Sequence, residues 1–239
     1  MSDSKIFAHR GASGNYFENT MRAFLGAVQK GANGIELDVQ QSSDGQLVVI
    51  HDNELLRLAG IDQRIDQLTS QELQEIKIGK GRYRRMFGHP IPLLFDVVTF
   101  CSEHNLALNV ELKETVYGQA AVLEQILHYV EPLTDVHLSS FDYETVRLVR
   151  ALDPDMETAL LFRKKSVDWQ NLNSYDVDAF HFHKRLWKDP YKSHLLESGK
   201  ILRMYGVTGA ESFISNTPEV TGWITDYPKR VRKKIKGSR

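Results

Sequence analysis

Eight short apolar segments recur along the chain, and most of the connections between them have helical periodicity. As predicted strands they are Lys5–His9, Gly34–Val39, Leu106–Leu112, Val136–Ser140, Glu157–Leu161, Ala179–Phe182, Ile201–Tyr205 and Gly222–Thr225. Strands that alternate with helices pair in parallel, because each helix returns the chain to the same end of the sheet. Eight such strands can close a (β/α)8 barrel. The alternation therefore predicts an α/β fold and a TIM barrel, with an open doubly wound sheet as the alternative.

Helix signals support this alternation. Apolar residues recur with helical spacing from Met21 to Val28, directly after a possible N-cap at Asn19 or Thr20. Residues 94–101 repeat the pattern, and Asp142 can cap a further helix. These segments are predicted to be the crossovers between parallel strands.

The segment Leu47–His51 breaks the alternation, because it follows the second strand with too few residues for a helical crossover. Asp44-Gly45 is a strong turn signal and predicts an antiparallel hairpin. If these two residues form the whole loop, Asp38 lies directly opposite His51, with Cβ atoms ~4.5–5.5 Å apart. The hairpin then places a carboxylate beside an imidazole.

The region that follows the hairpin is polar and rich in turn residues. We interpret residues 53–90 as a small insertion that contains one short helix near Ser70–Ile76. Neither an internal repeat nor a linker interrupts the sequence, so we expect one domain over residues 1–239.

Composition and charge exclude several classes of protein. Thirty Lys and Arg against 31 Asp and Glu give a formal net charge of -1, without the basic excess of a nucleic-acid binder. No run reaches the ~18–20 apolar residues of an integral membrane segment, and the N-terminal residues lack a signal-peptide core. The single cysteine, Cys101, fits a reducing compartment and is expected to be a small buried hydrophobe. We therefore expect a cytoplasmic protein, and the sequence leaves its oligomeric state open.

Two segments are locally basic, residues 80–85 and residues 229–239. We interpret them as solvated surface, the second at a frayed C-terminus. Weak attraction to anionic lipid headgroups is the alternative interpretation.

Charged residues end the first three barrel strands, where a TIM barrel carries its active site. They are His9 and Arg10 on the first, Glu36 and Asp38 on the second, and Glu111 and Lys113 on the third. Each alone fits a salt bridge or a structural histidine, but their joint occurrence favours a functional site. Three converging carboxylates repel one another unless a cation neutralises them. Ligation by oxygen alone suits Mg²⁺ or Ca²⁺ better than zinc.

Five short motifs resemble those of the glycerophosphodiester phosphodiesterase family in order and spacing. They are His9-Arg10-Gly11, Glu18-Asn19-Thr20, Ile35-Glu36-Leu37-Asp38-Val39, His51-Asp52 and Glu111-Leu112-Lys113. A weaker match continues through Ser140-Phe141-Asp142 and residues 222–228. The ordered set is far more specific than any one tripeptide. The resemblance implies a (β/α)8 barrel with an accessory region after the second strand.

The resemblance also implies a reaction, the hydrolysis of a small-molecule glycerophosphodiester to sn-glycerol 3-phosphate and an alcohol. The implied cofactor is one divalent cation, Mg²⁺ or Ca²⁺. The implied roles are acid–base catalysis for His9 and His51, metal binding for Glu36, Asp38 and Glu111, phosphate contact for Arg10 and Lys113, and support of the adjacent loop for Glu18 and Asn19. We take His9 as the base and His51 as the acid, although the reverse assignment fits the sequence equally well.

Two departures from the family pattern concern the substrate. Phe17 stands where the family usually has Pro, and Tyr205-Gly206-Val207-Thr208 replaces Trp-Thr-Val-Asn. A lysophospholipase D-like enzyme, with Phe17 and Tyr205 lining an apolar groove, is therefore one alternative. A non-catalytic module that binds glycerophosphodiesters is the other, although such a module would not need the intact set of acids and histidines.

Overall fold

Eight parallel strands pair side by side and close into a barrel in the computed structural model, which describes residues 4–79 and 84–237. In chain order the elements are β1 (Lys5–His9), α1 (Met21–Gln29), β2 (Gly34–Gln41), β3 (Leu47–Val49), α2 (Leu56–Ala59), α3 (Ser70–Glu75), β4 (Lys77–Ile78), α4 (Arg84–Phe87), β5 (His89–Pro90), α5 (Leu94–Glu103), β6 (Ala107–Leu112), α6 (Ala120–Val130), β7 (Val136–Ser140), α7 (Tyr143–Leu152), β8 (Glu157–Phe162), β9 (Ala179–His183), α8 (Tyr191–Glu197), β10 (Ile201–Tyr205), β11 (Val220–Thr225) and α9 (Pro228–Lys236).

The barrel strands follow the order β1-β2-β6-β7-β8-β9-β10-β11, and β11 returns to pair with β1. The closing register runs from Lys5 opposite Gly222 to Ala8 opposite Thr225. The predicted (β/α)8 barrel is confirmed, and every predicted strand agrees with the observed one to within two residues at either end. The open-sheet alternative is wrong, because the outer strands of such a sheet would not pair.

Local capping and burial explain why the crossover helices form where the sequence predicts them. Thr20 is the N-cap of α1, where its hydroxyl accepts a hydrogen bond from the Ala23 N–H at 3.1 Å. Asp142 caps α7 in the same way through the Thr145 N–H at 2.9 Å. In α5 the face that contains Cys101 is buried against the barrel, and burial raises the pKa of this thiol to about 12. Cys101 is therefore a packing residue, as expected.

The hairpin forms, but its predicted register is wrong by one residue. Val39 pairs with Val49, not with Ile50. The loop has three residues, because Ser42 and Gln46 close it with a backbone hydrogen bond of 2.9 Å and Gly45 adopts a φ of 79°. Asp38 is therefore level with Ile50, and His51 lies one residue beyond the predicted cross-strand position.

The insertion packs as a small unit on the outer side of the hairpin. Its apolar side chains, Leu55, Leu58, Ile65, Leu68, Leu73 and Ile78, form a buried cluster with Val48 and Ile50. The short helix predicted near Ser70–Ile76 is α3, and a capping box between Thr69 and Glu72 fixes its start. Most of the basic segment 80–85 lies outside the described residues.

The basic C-terminal segment is not frayed as far as residue 236, which corrects the sequence-based expectation. It forms α9, with Pro228 at the first helical position. Val231 is buried and Ile235 packs beside it in the same apolar cluster, so two apolar residues one turn apart anchor an otherwise charged helix. Within the described residues, no helix has the length and apolar character needed to cross a membrane.

Candidate active site

The pairing of β2 with β6 brings three acidic side chains together. Asp38 is level with Glu111 in this parallel register, and Glu36 lies two residues earlier on the same face of β2. One carboxylate oxygen from each residue lies within 4.8 Å of the others, and all three side chains are buried. We refer to Glu36, Asp38 and Glu111 as the acidic triad.

Two cations neutralise part of the triad. The Lys113 ammonium lies 3.0 Å from Asp38 Oδ1 and also donates to Glu111 Oε1. Arg10 Nε lies 3.1 Å from Asp38 Oδ2. Asp38 is therefore paired with two cations, and although burial opposes ionisation, Arg10 and Lys113 hold its pKa well below the usual range.

The charge at Glu36 is not fully compensated. Its Oε2 atom accepts a hydrogen bond from the Arg10 backbone N–H at 2.8 Å, but its buried Oε1 atom has no hydrogen-bond partner within the described part of the chain. Burial, with repulsion from Asp38 and Glu111, raises the pKa of Glu36 to about 7. The protein alone thus supplies too little positive charge for three ionised carboxylates.

His9, at the end of β1, contacts the carboxylate of Asp226, which directly follows the last strand. Its Nδ1 atom lies 2.6 Å from Asp226 Oδ1, and the Ser13 hydroxyl donates to the same oxygen at 3.0 Å. Burial lowers the pKa of His9, but Glu36 and Asp226 outweigh it and the net shift is upward. Because an ionised carboxylate can only accept, the shared proton belongs on Nδ1. In the neutral ring, Nε2 is then the free acceptor.

His51 has an equivalent partner from its own chain neighbour. Its Nδ1 atom lies 2.5 Å from Asp52 Oδ1, and Asp52 Oδ2 accepts a hydrogen bond from Arg57 Nε in α2. The other guanidinium nitrogens of Arg57 donate to both oxygens of Glu18 at 2.8 and 2.9 Å. The insertion therefore holds the carboxylate that orients His51.

Glu18 and Asn19 join this network to the triad. Glu18 Oε1 also accepts from Arg10 Nη1 at 2.8 Å, and Asn19 Nδ2 donates to Asp38 Oδ2 at 2.8 Å. Asn19 is buried in a left-handed conformation, with φ of 53°, which the loop tolerates because its backbone N–H also donates to the Arg10 carbonyl oxygen. A continuous series of opposite charges thus connects His51 with the acidic triad.

The structure brings eight of the nine residues that we predicted for the site into this network, and it places the ninth, His9, level with Glu36 on the neighbouring strand. Arg10 and Lys113 contact carboxylates here. Four further residues of the site were not predicted from the sequence: Ser13, Asp52, Arg57 and Asp226. Asp52 and Asp226 were visible as acids that follow His51 and the last strand. Nothing in the sequence distinguishes Arg57 from the other surface arginines.

An apolar groove of about 870 Å³ begins beside the network. Glu18 and Arg57 form part of its wall, and its apolar lining comes from Phe17, Leu58, Ile78, Met86 and Phe87. Phe17 therefore contributes apolar surface at the mouth, as its departure from the family pattern suggested. Tyr205 is not among the residues that line this groove.

Comparisons with known proteins agree with the geometry. The sequence model of the glycerophosphoryl diester phosphodiesterase family matches residues 9–230. A glycerophosphodiester phosphodiesterase of Bacillus altitudinis is 33% identical over 96% of this chain and 97% of its own length, and the uncharacterized protein YqiK of Bacillus subtilis is 37% identical over 98% and 99%. The structure of an Oleispira antarctica phosphodiesterase in complex with the product sn-glycerol-3-phosphate aligns with a TM-score of 0.84 at 25% identity, covering 97% of this chain and 96% of that one.

The uncompensated charge at Glu36 predicts a pH-dependent cost in stability. Because the folded-state pKa of about 7 exceeds the usual 4.5, ionisation of Glu36 lowers the free energy of unfolding as pH rises through this interval. In the presence of a chelator, Glu36→Gln should raise the free energy of unfolding by about 1–3 kcal/mol near pH 8, and by less near pH 5. Urea unfolding at both pH values measures this difference. A variant less stable than the parent near pH 8 would contradict the electrostatic account.

Proposed function

The chain belongs to the glycerophosphoryl diester phosphodiesterase family, and we propose that it hydrolyses glycerophosphodiesters to sn-glycerol 3-phosphate and an alcohol by metal-dependent acid–base catalysis. It is an enzyme of this class, a phosphoric diester hydrolase, so the non-catalytic binding module is set aside. The observation that carries the proposed mechanism is the buried acidic triad beside two histidines, each with a carboxylate at its Nδ1 atom.

Glu36, Asp38 and Glu111 would hold the divalent cation. Three carboxylates form a donor set of oxygen atoms only, and the buried Glu36 Oε1 lacks a protein partner among the described residues, so the residues fit a hard cation. When bound, Mg²⁺ or Ca²⁺ would polarise the phosphate group and stabilise its developing charge. Both ions suit these ligands.

Arg10 and Lys113 would bind the phosphate oxygens. A phosphodiester is anionic, so the site must supply positive charge that is fixed before the substrate arrives. Arg10 offers a planar fork of donors and Lys113 a compact point charge. Both cations already lie against Asp38, so little reorganisation is needed to present them to a substrate at the triad.

The two histidines would move protons through their Nε2 atoms. Asp226 and Asp52 hold a proton on Nδ1 of His9 and His51, which fixes the tautomer that each neutral ring needs. We assign His9 as the base that deprotonates the nucleophile and His51 as the acid that protonates the leaving oxygen. Water and the glycerol 2-hydroxyl group are both candidate nucleophiles.

Replacement of either histidine by alanine should lower turnover by about 10²–10⁴-fold, because one proton transfer then loses its catalyst. Both side chains are about one-third exposed, so the melting temperature should change little. Hydrolysis of glycerophosphocholine measures the effect. His104→Ala is the matched control, since this exposed histidine lies at the end of α5, where its ring stacks on Phe100 and its Nδ1 atom lies 2.9 Å from the Phe100 carbonyl oxygen. If both active-site variants match the parent, the two-histidine mechanism is wrong.

Arg57 should be a positioning residue for His51. In Arg57→Met, Asp52 and Glu18 lose their shared partner, and we expect kcat to fall roughly tenfold or more with a smaller change in KM. Arg64→Met is the control, because Arg64 lies in the same insertion, is 48% exposed against 47% for Arg57, and pairs with Asp66. Equal losses of kcat in Arg57→Met and Arg64→Met would show that the contacts of Arg57 have no specific effect on catalysis. Arg57→Lys, which keeps the positive charge, should retain part of the activity.

The apolar groove favours a second candidate function, the lysophospholipase D-like hydrolysis of substrates that keep one acyl chain. The groove adjoins Glu18 and Arg57, and about five large apolar side chains line it. If an acyl chain binds there, kcat/KM for lysophosphatidylcholine should exceed that for glycerophosphocholine, and Phe17→Ser should reduce only the former. Preference for glycerophosphocholine in the parent enzyme would reject this candidate and leave the leading proposal intact.

A further inference from the structure

The C-terminal helix α9 concentrates positive charge on one side of the barrel. Six of its nine residues are basic, and none is acidic: Lys229, Arg230, Arg232, Lys233, Lys234 and Lys236. The chain as a whole has a formal net charge of -1, so this concentration is local. The apolar residues Val231 and Ile235 pack inwards, which leaves only charged side chains at the exposed positions of the helix.

Four cations of this region have no ion-pair partner within the described part of the chain. Among the residues that the structure describes, no carboxylate oxygen lies within 4.0 Å of the side-chain nitrogens of Lys30, Lys229, Arg230 or Lys233. Two of them contact aromatic rings instead. The Arg230 guanidinium carbon lies 4.3 Å from the centroid of the Tyr227 ring, and Lys30 Nζ lies 5.6 Å from that of Tyr16. The rings orient these cations without cancelling their charge.

The same four cations face a shallow groove between α1 and α9. The groove has a volume of about 300 Å³, and Asn15 and Tyr227 complete its lining. Asn15 also lines the apolar groove beside the site, and Tyr227 directly follows Asp226, the partner of His9. We call Lys30, Lys229, Arg230 and Lys233 the basic face. It begins at the rim of the catalytic mouth.

We propose that the basic face docks the enzyme on an anionic phospholipid bilayer. Clusters of four to eight Lys and Arg on one amphipathic helix are typical of proteins that bind acidic lipid headgroups. Because α9 exposes no apolar residue, the attachment is electrostatic and peripheral, and added salt weakens it. The choice of a lipid surface over other polyanions rests on the proposed function, since glycerophosphodiesters are deacylated phospholipids.

Flotation of the 239-residue chain with vesicles tests this proposal. Vesicles of equal parts phosphatidylglycerol and phosphatidylcholine should bind the enzyme at low salt and release it at about 1 M salt, whereas pure phosphatidylcholine should not bind it. The triple variant Lys229→Gln, Arg230→Gln, Lys233→Gln should lower the partition coefficient by about 10²-fold. Its hydrolysis of soluble glycerophosphocholine should equal that of the parent, because the hydrogen bonds and ion pairs of the catalytic network in residues 4–79 and 84–237 do not include any of the three side chains.

A matched control variant distinguishes the effect of the basic face from the effect of the protein's net charge. Lys165→Gln, Lys188→Gln, Lys200→Gln removes the same number of charges elsewhere on the barrel and should retain vesicle binding. Equal losses in both triple variants, salt-independent binding, or binding to pure phosphatidylcholine would overturn the proposal. Tighter binding of a DNA duplex than of the acidic vesicles at the same salt would overturn it as well. If the enzyme is active but does not bind vesicles, only the docking surface is wrong. If it binds vesicles but is inactive, only the proposed function is wrong.

Discussion

The burial of three carboxylates at the ends of two adjacent strands is the constraint on which the rest of the site depends. The β2–β6 register makes Asp38 level with Glu111, and the two-residue repeat of a strand adds Glu36 on the same face. Such a cluster is unfavourable in a protein interior unless positive charge compensates it. Lys113 and Arg10 supply that charge for Asp38, while Glu36 Oε1 has no hydrogen-bond partner among the described residues and burial raises the pKa of this carboxyl. A divalent cation would supply the positive charge that is still lacking. The mutual repulsion that destabilises the free acidic triad would therefore also favour binding of the cation that the proposed reaction needs.

The two histidines reach the triad by different structural routes. Closure of the barrel between β1 and β11 brings His9 to Asp226, a residue 217 positions away. His51 instead depends on the hairpin and the insertion, where Asp52 and Arg57 hold its ring. His9 is therefore held by the closure of the barrel, whereas His51 is held by the hairpin and the insertion. The insertion thus contributes both to the placement of His51 and, through Arg57, to the wall of the groove.

Local signals made most of the fold predictable from the sequence. Strand bounds and helix caps depend on neighbouring residues, and the strands were predicted to within two residues at either end. Asp142 is the predicted cap, and Thr20 is one of the two candidates that were predicted for the first helix. The hairpin register was wrong because Asp44-Gly45 signals a turn without fixing the loop length, and the Ser42–Gln46 hydrogen bond made the loop one residue longer. The C-terminal segment was predicted to be frayed because two apolar residues in nine give a weak helical pattern. Those two residues nevertheless pack in an apolar cluster of the barrel, which is enough to hold the helix in place.

The acidic triad and the histidines could be predicted because strand ends in a parallel barrel meet at one face. Their partners could not, because the pairing of His9 with Asp226 requires the closed barrel and the contacts of Arg57 require the folded insertion.

Diffraction from crystals soaked in Mn²⁺, with anomalous scattering to locate the metal, would show whether the acidic triad binds a divalent cation. We expect one strong peak bound by oxygens of Glu36, Asp38 and Glu111. Metal bound elsewhere, or a Glu111 side chain turned away from the other two, would contradict this expectation.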